Sequence, residues 1–511
     1  MVSTKSSKRN YLTDSVASTL RTLIAGLTAL VVNPFVIRSL SDREYSGWTL
    51  ALSIGAYIPF AETGVGTAVM RFIAPDRTGS SDSTNTFLAS ALLFATVAGV
   101  VVIALVGCLV GFTSVLFGKA PQSLHSDLRV AAGLCMISGF FGLWTSVANG
   151  YFAAQHQTVT SALVSVAVAV LTGFSLVYVS HRFHSIPALA ATIAASGLLQ
   201  AAALLALLRL KSGKQSLNPL RANRKALGSI WSHCLGTGWW SLSMLLIGGL
   251  DLLVVARIDF ANVGSYGIAV RLVGLVVGLL VAATTPLITI ASRTAAANDS
   301  EAVSRLVLRS TRLTNSGNAL FIGVLFSAAP AIIRLYAGEK YVHTGSVLLR
   351  LLLIGHMVRQ MGGSLGLVMV ATGEHRKAVL PPVAEGLTNL VVSITLGSLI
   401  GAAGVAIGTI AGAVVSLVLY NLVVFPKFTA FHIRPKRFVI EGVLPSLLIF
   451  APALVVGLLF RPASYGAVML WTTFQFCLGG FLLARFGLKP DERLAVIGKA
   501  RSSVSRRSFG K

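Results

Sequence analysis

The sequence predicts an all-α polytopic membrane protein, and three observations carry that prediction. Apolar runs of about 20 residues recur from roughly Leu20 to Phe486, each long enough to cross the ~30 Å hydrocarbon core of a bilayer as a helix. Charged residues make up only 12% of the 511, and mean hydropathy is +0.79, so lipid is the solvent for most of the chain. No ten-residue alternation of apolar and polar positions appears. A backbone without water partners closes its hydrogen bonds within helices.

About fourteen spans are expected, at 17–37, 45–69, 85–113, 128–150, 158–180, 186–208, 229–256, 264–290, 315–336, 343–371, 378–400, 403–425, 440–460 and 464–487. With the N-terminus cytoplasmic, most Lys and Arg fall in inner segments. Lys5, Lys8 and Arg9 precede span 1, Arg71 and Arg77 follow span 2, and Arg209, Lys211, Lys214, Arg221, Arg224 and Lys225 lie between spans 6 and 7. Arg293, Arg305, Arg309 and Arg312 follow span 8, and a basic tail closes the chain. Positive loops stay inside, which places both termini in the cytoplasm.

The first six spans (1–210) form one expected bundle, and a basic cytoplasmic linker (211–228) follows. A second six-helix bundle (229–426), an accessory helix pair (427–487) and a basic tail (488–511) complete the chain. An even number of spans before the linker makes the two bundles a parallel pseudo-repeat. An internal echo agrees. Val36-Ile37-Arg38 leads to Tyr45-Ser46-Gly47, and Val255-Ala256-Arg257 leads to Tyr266-Gly267-Ile268. Between spans 8 and 9, Asp299 or Ser300 caps a helix whose face carries Val303, Leu306 and Val307, expected to lie on the inner leaflet. Glycines at 397, 401, 404, 408 and 412 predict close helix packing across spans 11 and 12.

The net charge of +25 is explained by topology and anionic headgroups, which removes its implication of nucleic-acid binding. Four single cysteines give neither a disulfide framework nor a metal site, and no removable signal peptide is expected. No nucleophile–base pair, phosphate-binding glycine loop or zinc motif stands in a suitable context, so neither catalysis nor a cofactor is expected. Short outer loops argue against a membrane glycan polymerase or ligase.

The residues that draw attention are the charges inside spans, which are costly in lipid and mark cavities, partners or pathways. They are Arg21, Glu62, Asp251, Arg271, His356, Arg359 and Glu385. Asp251 and Arg271 have similar outer-half depths on adjacent spans, so they form either a structural ion pair or an outer gate. Arg359 and Glu385 have inner-half depths and are a second candidate pair, and Glu62 is set against Arg21 or carries a coupling proton. His356, Arg359 and Gln360 share a helix face, and Gly362-Gly363-Ser364 is expected to bend the helix beyond them. Arg350 is expected to snorkel to the outer interface.

The layout, the hairpin Leu40-Ser41-Asp42-Arg43-Glu44-Tyr45-Ser46-Gly47-Trp48, the stretch Glu62-Thr63-Gly64-Val65-Gly66-Thr67-Ala68 with Arg71, and the link Thr285-Pro286-Leu287 through Arg309 together resemble one family. It is the multidrug/oligosaccharidyl-lipid/polysaccharide exporter superfamily, and more narrowly its bacterial O-antigen and exopolysaccharide flippases. The resemblance implies two six-helix bundles around a cavity with alternating access in the bacterial inner membrane. The substrate it implies is a polyprenyl-pyrophosphate-linked oligosaccharide for lipopolysaccharide or exopolysaccharide synthesis, with polymerase and chain-length machinery as partners. Arg21, Arg271 and Arg359, with His356 and Gln360, are then the expected phosphate and glycan contacts. Glu62, Asp251 and Glu385 are the gating or ion-coupling acids. The alternative is a cation- or proton-coupled drug exporter of the same superfamily.

Overall fold

The structure, a computed structural model, describes residues 3–58, 64–74, 82–111, 119–212, 218–284, 286–297, 299–429, 431–459, 465–489 and 492. All regular elements among them are helical, and thirteen helices are long and apolar enough to cross a membrane. The remaining expected span, 45–69, is divided into α2 (Asp42–Gly55) and α3 (Val65–Ile73). Glu62 falls between these, outside the described residues.

Contacts divide the chain into two compact units, Met1–Gly278 with Pro382–Gly412 and Leu279–Pro381 with Ala413–Lys511. This partition follows contacts, whereas the division expected from the sequence follows the repeat, and the two draw different boundaries.

In the first unit, α1 (Ser3–Ser39) turns into α2 through a capping box. The Ser41 N–H donates to the Glu44 carboxylate at 2.8 Å, and the Glu44 N–H returns to the Ser41 hydroxyl at 3.4 Å. After α4 (Asp82–Gly111) comes α5 (His125–Ala154), which packs against α2, α3 and α4 and against α7 (Ile186–Ser212). α6 (Thr158–Phe183) lies along α1 and α7. Glycine makes the close approach of α5 to α2 possible, because a Cβ on Gly139 would stand 2.7 Å from the Gly55 carbonyl oxygen. α8 (Arg224–Met244), α9 (Asp251–Ile258) and α10 (Val263–Thr284) follow.

α15 (Leu380–Ile400) and α16 (Ala402–Leu419) form the glycine hairpin expected from the sequence. Gly401 turns the chain at φ +66°, where Asp259 accepts from the Ala402 N–H at 3.2 Å. A Cβ on Gly412 would stand 2.6 Å from the Glu385 carbonyl oxygen. Gly412→Ala is therefore expected to lower stability by about 1–3 kcal/mol through overpacking. Gly366→Ala, with no atom within 4 Å of the added carbon, is the control that leaves melting of the purified protein unchanged or raised.

The second unit contains α11 (Pro286–Ala296) and α12 (Ser300–Ala337), then α13 (Val342–Gln360) and α14 (Gly363–Ala371). Asp299 caps α12, accepting from the Ala302 N–H at 2.8 Å. The expected amphipathic helix on the inner leaflet is corrected here: its residues are the first turns of one continuous 38-residue helix. Val303, Val307 and Thr311 are buried against protein, and the His432 N–H donates to the Ser304 hydroxyl at 3.1 Å. Protein therefore covers this face. As the glycines predict, the helix breaks between α13 and α14, where the Gly362 N–H tightens to the Arg359 carbonyl at 3.3 Å. Arg350 does not snorkel outward. Its Nε donates to the Phe326 carbonyl at 3.0 Å, with the guanidinium 5.3 Å from that ring's centroid.

Past α17 (Leu444–Leu459) and α18 (Tyr465–Leu482), the tail returns to α12. Glu492 accepts from Arg312 Nη2 at 2.7 Å, Arg309 Nε at 2.8 Å and the Lys489 N–H at 2.9 Å, and Arg312 is 4% exposed. Burial acts to raise the Glu492 pKa, but the Lys489 N–H and the charges of Arg312 and Arg309 outweigh it and hold the carboxyl below its ordinary 4.5. A lowered folded pKa means the clamp stabilises fully above the ordinary value and is lost as pH falls through the folded one. Glu492→Gln is expected to speed tryptic cleavage of the tail at pH near 7, and acidification of the wild type through the lowered folded value to speed its cleavage by an acid-active protease such as pepsin.

Candidate functional site

The first unit carries a half-open cavity of about 360 Å³ lined from α1, α2, α5, α6, α7 and α10. Its polar lining comprises Thr28, Asn33, Ser138, Thr172, Ser196, Gln200 and Arg271, set among Val32, Trp48, Leu176 and other apolar groups. Among the described residues of that lining, Arg271 is the single charged side chain and there is no carboxylate. Arg271 Nη1 donates to Asn33 Oδ1 at 2.7 Å across 238 positions of sequence. Neutral hydroxyls and amides around one guanidinium suit an anion with several acceptor oxygens.

A second polar node lies in the same unit. The helix carrying α8 widens into a π turn at Leu245–Gly249, and Asp251 opens α9 directly beyond it. Asp251 is 6% exposed. Its carboxylate accepts from the Tyr266 hydroxyl at 3.0 Å, Asn389 Nδ2 at 3.0 Å and the Thr409 hydroxyl at 3.2 Å. Asn389 also donates to the Ile247 carbonyl within the π turn at 2.7 Å, while the Ser393 hydroxyl donates to Asn389 Oδ1 at 3.0 Å. These three hydrogen-bond partners of the carboxylate are neutral. A hydroxyl from α10, an amide nitrogen from α15 and a hydroxyl from α16 thus donate to a buried acid of α9, a setting that suits exchange of a proton.

The expected Asp251–Arg271 ion pair does not form. Equal depth on neighbouring helices left the direction of each side chain open. Arg271 turns to α1 and Asp251 turns to α15 and α16. Arg21 donates from Nη1 to Asn149 Oδ1 at 3.2 Å, on α1 and α5 respectively. Glu385 is 3% exposed in the first unit, one turn before Asn389, and Arg359 belongs to the second unit. His356 is buried in α13, with Arg359 and Gln360 half-buried on the same helix. Among the described residues no three His, Cys, Asp or Glu side chains gather as a metal site. The four cysteines are free thiols, two of them (Cys108 and Cys477) exposed.

Asn33, Tyr266, Asn389 and Thr409 carry no charge and are not among the site residues expected from the sequence. The available signal was that an amide inside an apolar span also carries a desolvation cost and so also seeks a partner.

No family model and no curated protein matches the sequence. Solved structures do match it in fold. The lipid II flippase MurJ in an inward closed conformation aligns with a TM-score of 0.69 and 15% identity, covering 93% of this chain and 98% of that one. A eukaryotic MATE transporter, AtDTX14, aligns at 0.62 and 14% identity over 84% of this chain and 98% of its own. An inward-facing multidrug resistance MATE family transporter aligns at 0.57 and 16% identity, over 78% and 92%. The chain therefore shares the fold of these flippase and MATE transporter structures and is a multi-pass helical membrane protein.

Proposed function

We infer that this protein is a flippase that moves a polyprenyl-pyrophosphate-linked oligosaccharide across the bacterial inner membrane by alternating access. The observation that carries the reading is the cavity whose single charged lining group is Arg271. Such a lining attracts a pyrophosphate and repels a cationic drug. At about 360 Å³ the cavity fits a phosphate-bearing head group, and the polyprenyl chain stays in lipid. The fold likeness to a lipid II flippase supports the same reading. Asp251 and its neutral donors supply a group that couples transport to a cation gradient. Both termini face the cytoplasm, and the glycan polymerization machinery takes the product.

Purified protein in liposomes carrying a fluorescent polyprenyl-pyrophosphate oligosaccharide on one leaflet tests this directly. Protein-dependent appearance of the label on the other leaflet is the expected result. Failure there, together with export of cationic dyes, would replace the reading with that of a cation-coupled small-molecule exporter, which the MATE likeness also supports.

A further inference from the structure

Arg271 keeps its charge beside a neutral partner, and the geometry shows how that partner is held. Arg271 Nη1 donates to Asn33 Oδ1 at 2.7 Å, and Asn33 Nδ2 donates to the Tyr45 hydroxyl at 3.1 Å. Asn33 is 2% exposed and Tyr45 is 0% exposed. A guanidinium has no acceptor, so only the amide oxygen of Asn33 can meet it, and the amide nitrogen must face Tyr45. Arg271 sets which end of the amide faces it, and the Tyr45 hydroxyl, 3.1 Å from Nδ2 and 3.4 Å from Oδ1, holds residue 33 in place. An aspartate would fill almost the same volume and would bond Arg271 more strongly, as a charged pair. It would also cancel the charge, since the lining of the cavity offers no other ion.

We propose that Asn33 is the positioning residue that sets the charge selectivity of the cavity, anchoring Arg271 while leaving its positive charge to an anionic ligand of the phosphate or pyrophosphate class. The inference rests on the anion-binding reading above and names the residue that maintains it. Asn33 carries no charge in this role. It acts through Arg271.

The test uses the full-length protein in detergent, with inorganic pyrophosphate as the anionic probe and tetraphenylphosphonium as the cationic one. Pyrophosphate binding is expected to weaken about tenfold or more in Arg271→Gln, and comparably in Asn33→Asp. Asn33→Asp is also expected to bind tetraphenylphosphonium more tightly than the wild type, which a merely structural defect would not produce. Asn33→Leu removes the anchor but not the charge, so it is expected to weaken pyrophosphate binding only about threefold and to keep the wild-type salt dependence. The neutral variant decides the question even where Asn33→Asp does not fold. Loss of pyrophosphate binding in Arg271→Gln with Asn33→Asp intact would overturn this inference alone. So would Asn33→Leu behaving like Arg271→Gln, or like the wild type. A wild type that does not bind pyrophosphate, or an Arg271→Gln variant that binds it unchanged, overturns both this inference and the anion-binding reading.

Discussion

Arg271→Gln is expected to reduce flipping of a lipid-linked oligosaccharide by about tenfold to a hundredfold while the protein remains folded and inserted. The figure follows from hydrogen bonds to a charged group, each contributing about 1.5–3 kcal/mol, in a cavity whose lining has no second cation to replace them. Gln keeps a hydrogen-bond donor toward Asn33, so the local packing of α1 and α10 is conserved and the loss reports charge. Arg271→Lys is expected to recover only part of the activity, because a point-charge ammonium cannot make the planar, two-pronged contact of a guanidinium with phosphate oxygens. The measurement is leaflet exchange of labelled lipid in liposomes at matched protein level, alongside glycan export in a strain lacking the chromosomal copy. Wild-type flipping by Arg271→Gln would remove the cavity from the transport path.

The second large effect is expected at Asp251, where the two obvious substitutions should fail in different ways. Asp251→Leu leaves the donors of Tyr266, Asn389 and Thr409 buried without their acceptor. Each such orphan costs about 1–3 kcal/mol, so this variant should lose most of its folded yield. Asp251→Asn keeps the volume and one acceptor oxygen, and should fold. Without a titratable, negatively charged oxygen it should no longer respond to a cation gradient: flipping in liposomes with and without an imposed sodium or proton gradient should be equal and slow. A gradient response in Asp251→Asn as large as that of the wild type would make the node structural and return coupling to Glu62 or Glu385.

Features made by residues close in the chain were legible in the sequence. Runs of about 20 apolar residues specify helices and spans because lipid leaves the backbone no alternative. The Gly397–Gly412 spacing specified a close hairpin because small residues at helical spacing create a flat face on each helix independently. Asp299 and the Ser41–Glu44 pair were legible for the same reason, since a cap is made within four residues of its helix. The break after Gln360 also followed from adjacent glycines.

Partners across the bundle were a different matter. Depth in the membrane is read by counting 1.5 Å per residue, but the side of the helix on which a charge finds its partner is not. Asp251 and Arg271 matched in depth, and each found a neutral amide on another helix, 138 and 238 positions away. The segment before span 9 was amphipathic in sequence, and an amphipathic face specifies burial without saying whether lipid or protein does the burying. The return of Gly487 and Glu492 to Arg312 decided that in favour of protein. The sequence by itself therefore determined the helical class, the spans and the local turns and caps, all of which depend on neighbours in the chain. Only the tertiary structure decided the composition of the cavity and the partners of Asp251 and Arg271, because those depend on how rotated helices bring together side chains hundreds of residues apart.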